Sequence, residues 1–496
     1  MNAQIRHLFY VFALLFVALV GMSSYWLWRA PDLEARQGNP NLVVRQLLIE
    51  RVLVYAADGE TVLARNREQE VDGQTWYRRQ YPQQGLATHV VGYSTVQRSR
   101  TGLEESLNDY LTGSNADLAT LLDRAADTLR GITRQGNDVV LTLDADAQRA
   151  AVNALGGRCG SVVALEPASG RVLVMASTPS YDPNLIENRF RRATRATGPC
   201  EPASPLLNRA TGGFPSPVFI PGSTFKVLTA AAALDSGRYT PDSEFDDPGY
   251  CVEYGQRVFN YADQAGPRAF GRVDLGDAVE NSINSVFCNI GKELGPRVIL
   301  DYAKDFGFYE DPPLETPGDE RAPSGLWANG RLFDPEDPNQ IDPGRLAFGQ
   351  ERLLVTPLQM AMVVATIGNG GVLMRPHVVD RIVAPDGNVV TRTRPEEVRR
   401  VLSQETAAAL TPMMVRVVTS GTGTSAQISG VEVAGKTGTA ETGRQGQNDT
   451  GFVAFAPAGE PRVAIAVYLQ NQSGTGGATA APIAKAVMEA ILRSNP

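Results

Sequence analysis

A serine followed three residues later by a lysine is the first place where this chain could do covalent chemistry. Phe219-Ile-Pro-Gly-Ser-Thr-Phe-Lys226 leads into Val-Leu-Thr-Ala-Ala-Ala-Ala-Leu234, and Gly237 ends the run. Pro221 and Gly222 break regular structure, so the pattern predicts a loop delivering Ser223 to the first turn of a helix. Residues three apart share a helix face, which sets Lys226 beside the Ser223 hydroxyl. Serine is a poor nucleophile until a neighbour takes its proton, and a lysine in a dry site can do so. The helix N-terminus favours the negative charge that then develops. S-x-x-K alone also describes many surface helices. Composition weighs against that reading, because only five of the 46 basic residues are lysine. Where arginine is the default cation, a retained lysine points to chemistry that a guanidinium, which does not deprotonate, cannot do.

Two further motifs follow in order. Ser282-Ile283-Asn284 is weak alone, since Ser and Asn are common in caps and loops. Lys436-Thr437-Gly438-Thr439 follows the alternating Val431, Val433 and Ala434 and reads as an exposed strand beside a cleft. Gly438 lets a substrate backbone approach that strand, Lys436 offers positive charge to a carboxylate, and Thr437 and Thr439 offer hydroxyls. The same stretch matches G-x-x-x-x-G-K-[ST] from Gly430 to Thr437. A phosphate loop needs a helix starting at the lysine, and here a strand pattern runs into it, with Gly438 and Gly443 beyond. Glu104-Glu-Ser-Leu-Asn108 looks like the deacylating E-x-x-L-N segment of class A β-lactamases. It precedes the nucleophile instead of following it, and an amphipathic helix surface accounts for it better.

The rest of the chain must position these groups. At 496 residues, 43% hydrophobic and 20% charged, it has room for two or three folded domains. The net charge of −8, with no basic cluster, argues against a nucleic-acid partner. Residues 8–28 are apolar, long enough to span a bilayer and end in an aromatic belt, which predicts an uncleaved membrane anchor. Arg6 and His7 before it favour a cytoplasmic N-terminus, leaving the remainder outside the cell. Cys159, Cys200, Cys251 and Cys288 then occupy a compartment that permits disulfides, with three pairings open. Their spacing, and that of His7, His89 and His377, gives no zinc-ligand set and no Ser-His-Asp triad; neither metal nor cofactor is expected.

From residue 29 to 137 the sequence is polar and mixed. It contains a hairpin pattern over Leu48–Ala64 turning at Asp58-Gly59, and helical spacing over Leu103–Leu111 and Leu118–Leu129. It reads as a pedestal lifting the next domain off the membrane. From residue 138 to 496 the texture changes. Strand patterns cover Asp138–Asp144, Ser161–Glu166 and Arg171–Ala176, and helical ones cover Ala145–Leu155, Leu275–Leu294, Pro357–Ile367 and Glu405–Val418. Asp242–Asp277 is turn-rich, Pro312–Pro343 reads as a surface loop, and strands at Val431–Ala440, Gly451–Ala456 and Arg462–Gln470 precede a helix over Ala481–Arg493. Two strands before the helical block and three after it predict one sheet assembled from both ends of the domain.

The three motifs in this order form the set shared by class A β-lactamases and penicillin-binding proteins. With the anchor, the short pedestal carrying His89-Val-Val-Gly-Tyr93, Gly349-Gln350 to Met360, and Phe452-Val-Ala-Phe-Ala-Pro457, the chain resembles a class B penicillin-binding protein of the actinobacterial type. The resemblance implies an α+β transpeptidase fold, a central antiparallel sheet flanked by helices, on the pedestal. It implies a D,D-transpeptidase acting on peptidoglycan stem peptides, with β-lactams as covalent inhibitors and a glycosyltransferase and division or elongation proteins as partners. By that analogy Ser223 attacks the D-Ala-D-Ala carbonyl, Lys226 is the base, and Ser282 relays a proton to the leaving amine. Asn284 holds the substrate amide, and Lys436, Thr437 and Thr439 bind the terminal carboxylate. The N–H groups of Ser223 and Thr439 form the oxyanion hole. Ile283 has no evident catalytic use, and Asp449-Thr-Gly-Phe452 keeps only the Phe of the family's usual acceptor-side pattern. A hydrolase or β-lactam sensor of the same fold, or a scaffold for division, are the competing readings.

Overall fold

The computed structural model describes residues 3–34, 47–112 and 137–494, apart from 49, 72, 97–98, 196–197, 199, 214–216, 261, 264–265, 336 and 443–445. The helix Ala3–Glu34 contains a 21-residue stretch, Arg6–Trp26, long and apolar enough to cross a membrane, with none of it buried against protein. The expected helix over 118–129 lies outside the described residues.

Five strands make the central sheet: β1 (Gly160–Leu165), β2 (Val172–Thr178), β3 (Ala434–Glu441), β4 (Asn448–Ala456) and β5 (Val463–Gln472). Their spatial order is β3-β4-β5-β1-β2, all antiparallel, with Val467 opposite Val162 and Gly438 opposite Gly451. The two ends of the domain do meet in one sheet, as the strand patterns predict. Period-two alternation assigns its faces. Val162, Val174, Phe452, Ile465 and Val467 pack under helices α1 (Ala145–Leu155) and α6 (Gly476–Ser494). Val163, Val453, Phe455, Ala466 and Tyr468 join the larger core with α2 (Lys226–Asp235), α3 (Asn284–Asp305), α4 (Pro357–Gly368) and α5 (Gln404–Thr419). Each such side chain taken from water contributes about 1.5–3 kcal/mol. The turn-rich segment before α3 is not irregular throughout: it forms short strands at Glu244–Asp247, Tyr250–Glu253, Gln256–Phe259 and Gly271–Asp274.

Local chemistry sets the helix ends. Asp144 accepts hydrogen bonds from Asp146 N and Ala147 N at the start of α1, and Gly156, with φ 57°, ends it in the left-handed conformation. The expected run over Leu275–Leu294 is two helices, Leu275–Glu280 and the first part of α3, because Asn281-Ser282-Ile283 breaks it; α3 kinks at Gly295, where φ is 77°. Disulfides join Cys159 to Cys200 and Cys251 to Cys288, with Cα separations of 5.3 and 6.4 Å.

A second sheet has six strands and includes those of the expected pedestal region, in the order Val389–Arg392, Val379–Val383, Asp138–Leu141, Val54–Tyr55, Val62–Val71, Gln74–Gln80. Val139 pairs in parallel with Val54 and antiparallel with Ile382. The strand that follows residue 137 in the sequence is thus a central member of the pedestal sheet, and two strands from beyond residue 378 extend it. The hairpin at Asp58-Gly59 forms as expected, its turn closed by Asp58 Oδ1 accepting from Glu60 N and Thr61 N.

Glu104 corrects one expectation. It is wholly buried, not on a helix surface, and is ion-paired to Arg51 at 2.9 Å and Arg79 at 2.5 Å. Those arginines hold its carboxyl below the usual range despite burial. Removing one member of a buried ionic cluster typically costs about 3–5 kcal/mol, because the partners are left uncompensated. Glu104→Gln is therefore expected to lower the urea-unfolding free energy by an amount of this order. The lifetime of a penicilloyl adduct on the folded protein should not change.

Candidate active site

Ser223 is half-buried on a single 3₁₀ turn, Gly222–Phe225, that runs directly into α2. Lys226 opens α2, and its side chain is fully buried. The turn is clamped from two sides. Gly222 N donates to Gly349 O at 3.0 Å, and a Cβ on Gly349, where φ is 78°, would collide with Gly222 O. On the other side a Cβ on Gly438 would lie 2.8 Å from Pro221 O and 2.8 Å from Thr224 Cγ2. The missing side chain at Gly438 thus makes room for the nucleophile turn. Beneath it Thr224 Oγ1 bonds Tyr468 OH of β5 at 2.6 Å.

The S-x-N motif sits at the break between helices. A capping box of Asp274 and Asp277 starts the first helix, and Arg416 of α5 bonds Asp277 and Glu280 to hold it. Ser282 takes φ 57°, a left-handed conformation that a side chain tolerates only when its surroundings impose it. Ile283 is completely buried, and this apolar anchor explains the residue between the two polar ones. The motif is thereby turned onto Lys226. Nζ of Lys226 lies 2.7 Å from Ser282 O, 2.7 Å from Asn284 Oδ1 and 3.2 Å from Ser282 Oγ.

That geometry assigns the amine's valences. The carbonyl of Ser282 and Oδ1 of Asn284 can only accept, so they take two N–H bonds. In a neutral amine the remaining lone pair then meets Ser282 Oγ–H, which gives a path for a proton between the two side chains. Burial pushes the Lys226 amine well below the usual lysine range, and the nearby Lys436 lowers it further. Among the described residues no hydrogen bond joins Ser223 Oγ to Lys226, a looseness common before substrate binds.

Lys436, also fully buried, lies on β3, and its Nζ donates to Thr437 O at 3.2 Å. Burial lowers it to about 7. Thr437 Oγ1 meets Thr422 Oγ1 at 2.6 Å, and Thr439 Oγ1 accepts from Gly476 N, the first residue of α6, at 3.1 Å. Strand β3 continues through Lys436 and Thr437 in register with β4, so the Gly430–Thr437 pattern is not a phosphate loop. Sequence reasoning missed Gly349 as the brace of the nucleophile turn, Thr422 as the partner of Thr437, and Phe259 O, which accepts from Asn284 Nδ2 at 2.9 Å. None of these has a spacing signal.

His89 and His377 stand apart from these motif residues in the bonds they make. His89 Nε2 is 2.8 Å from Pro205 O, and burial lowers the ring to about 4. Cys251, Glu253 and Cys288 bring possible ligand atoms within 4.8 Å of one another, but the two sulfurs are bonded to each other.

The arrangement sets the Ser223 turn beside a buried amine that contacts Ser282 and Asn284. Residues 160–489 match the penicillin binding protein transpeptidase domain, and residues 54–139 match the penicillin binding protein A dimerisation domain. "Peptidoglycan D,D-transpeptidase PbpA" of Mycobacterium tuberculosis is 34% identical over an alignment of 521 residues that takes in all of both chains. The structure of penicillin-binding protein A from M. tuberculosis as an imipenem acyl-enzyme complex superposes with a TM-score of 0.77 at 33% identity, covering 90% of this chain and 100% of that one. Its penicillin G acyl-enzyme complex gives 0.76 at 34% identity, again covering 90% and 100%. The chain belongs to the penicillin-binding protein transpeptidase family.

A lysine lowered from 10.5 to about 7 binds fewer protons folded than unfolded between those values. Stability therefore rises with pH across that window and is lost as pH falls towards 7. Lys226 acts in the same direction. Urea midpoints at pH 7 and pH 9.5 should show wild type gaining stability, and Lys436→Met gaining clearly less. Equal gains in the two proteins would contradict the burial cost assigned to Lys436.

Proposed function

We propose that this chain is a peptidoglycan D,D-transpeptidase working through an acyl-enzyme on Ser223. The observation that carries the reading is the carboxylate-free contact of a buried Lys226 with both Ser282 and Asn284 beside the Ser223 turn. Ser223 Oγ attacks the carbonyl between the last two D-alanines of a donor stem peptide, and its proton passes to Lys226. Collapse of the tetrahedral intermediate breaks the C–N bond. The proton returns through Ser282 Oγ to the departing D-Ala amine. An amine of a neighbouring stem peptide then attacks the ester, forms the cross-link and frees Ser223.

Lys436, still able to carry charge near neutrality, and the hydroxyls of Thr437 and Thr439 bind the donor's terminal carboxylate. Asn284 orients the peptide amide. The N–H groups of Ser223 and Thr439 stabilise the oxyanion, a role supported by how closely Gly222 approaches Thr439 and Ala440. Losing one such donor typically costs about 10²–10³ in rate. β-Lactams acylate Ser223 by the same route and block it.

The helix over Arg6–Trp26 anchors the protein in the membrane with its N-terminus in the cytoplasm. Residues 29–137 serve as the pedestal, its sheet completed by the strands Asp138–Leu141, Val379–Val383 and Val389–Arg392, and the rest of 138–496 is the catalytic domain outside the cell. A glycosyltransferase that supplies glycan strands, and proteins of division or elongation, are the partners this work requires.

Labelling with a fluorescent penicillin tests the reading. Wild type is expected to label covalently and Ser223→Ala not at all, while Lys226→Met labels at least about 10²-fold more slowly, the scale of lost general-base catalysis. Labelling that persists in Ser223→Ala would move the nucleophile elsewhere.

A further inference from the structure

The helix that carries Asn284 has no cap of its own. Its N-cap residue is Ile283, whose side chain cannot accept, so the first N–H groups of α3 need a partner from elsewhere. Asn260 supplies it: Oδ1 accepts from Ser285 N at 3.0 Å. The adjacent carbonyl of Phe259 accepts from Asn284 Nδ2 at 2.9 Å, which fixes the amide so that Oδ1 faces Lys226. The reverse orientation would set Nδ2 against an N–H donor and Oδ1 against a carbonyl. One dipeptide at the end of the strand Gln256–Phe259 therefore holds both the helix start and the amide that touches the base.

Behind it lies a buried carboxylate with no cation against it among the described residues. Asp247 accepts from Asn260 Nδ2 at 3.0 and 2.8 Å, from Gly249 N and Phe270 N at 2.8 Å each, and from Ser285 Oγ at 2.5 Å. Asp247, Asn260 and Ser285 are all nearly inaccessible to solvent. Five hydrogen bonds saturate an acceptor-only group and leave it one conformation. The same small module meets α3 twice more, at the Cys251–Cys288 disulfide and where Lys292 Nζ reaches Val252 O at 2.6 Å. Those attachments lie one and two turns further along the helix face and do not touch the catalytic amide.

We propose that Asn260 and Asp247 are positioning residues for acylation: a polar latch through which the strand module sets Asn284, and through it the Lys226 amine. This rests on the acyl-enzyme reading above. Displacement of a catalytic group by about 1 Å is enough to cost of the order of 10² in rate. Fluorescent-penicillin labelling across a concentration series separates the binding constant from the acylation rate constant. Asn260→Ala should lower the rate constant by about 10- to 100-fold with little change in binding. Lys292→Ala, which loosens the same module away from the amide, should leave it unchanged. Asn260→Asp should be at least as slow as Asn260→Ala, because it sets two carboxylates together.

A wild-type rate constant in folded Asn260→Ala, or an equal loss in Lys292→Ala, would overturn the proposal. Should Asn260→Ala not fold, Ser285→Ala takes its place, since it removes one hydrogen bond to Asp247 and little volume. A clear fall there supports the latch, and a wild-type rate constant overturns it. Labelling of wild type reports on the acyl-enzyme reading itself, and only the ratio of variant to wild type reports on the latch.

Discussion

Two lysine side chains, Lys226 and Lys436, are buried completely, and no carboxylate pairs with either among the described residues. An isolated buried ammonium is too costly to keep, so the fold has in effect chosen amines. Burial depresses both, and the charge of Lys436 pushes Lys226 further. Lys226, held well below the usual lysine range, is suited to take a proton, and Lys436, lowered to about 7, is still partly charged near neutrality. Gly438 and Gly349 let the Ser223 turn pack closely against β3 and the Gly349 loop.

The topology explains how three distant segments reach one place. Strands β1 and β2 come from one end of the catalytic segment and β3 to β5 from the other, with the helical block between them. The nucleophile turn and the S-x-N break belong to the inserted block, and Lys436 belongs to the edge strand. The three motifs therefore meet at the seam where the helical block packs on the sheet in one shared core. Pairing of residues near 160 with residues near 468 also means that the sheet closes only when most of the chain is present, a non-local arrangement that folds slowly.

Much of this is legible in the residues. Short apolar runs mark the strands of the central sheet, with alternation before Lys436, and the order Ser223/Lys226, Ser282/Asn284, Lys436/Gly438 marks the site. What escapes are features without periodicity. Asp247 and Asn260 sit in a turn-rich stretch whose burial depends on partners some 25 to 38 residues away in the chain. Glu104 reads as solvated in the sequence because an isolated acid usually is, and only the fold brings Arg51 and Arg79 to it. Gly438 suggests room for substrate approach, whereas its space is taken by Pro221 and Thr224. The strands from beyond residue 378 join the pedestal sheet by a long-range pairing that local pattern does not carry.

Transfer, as opposed to mere acylation, is the central claim, and product analysis tests it most directly. The purified full-length protein would be given a stem-peptide donor ending in D-Ala-D-Ala together with an amine acceptor, and its products resolved by mass spectrometry. One D-Ala should be released for each new amide bond to the acceptor, with both lost in Ser223→Ala. Release of D-Ala with only the hydrolysed peptide as product, at saturating acceptor, would contradict the transferase mechanism.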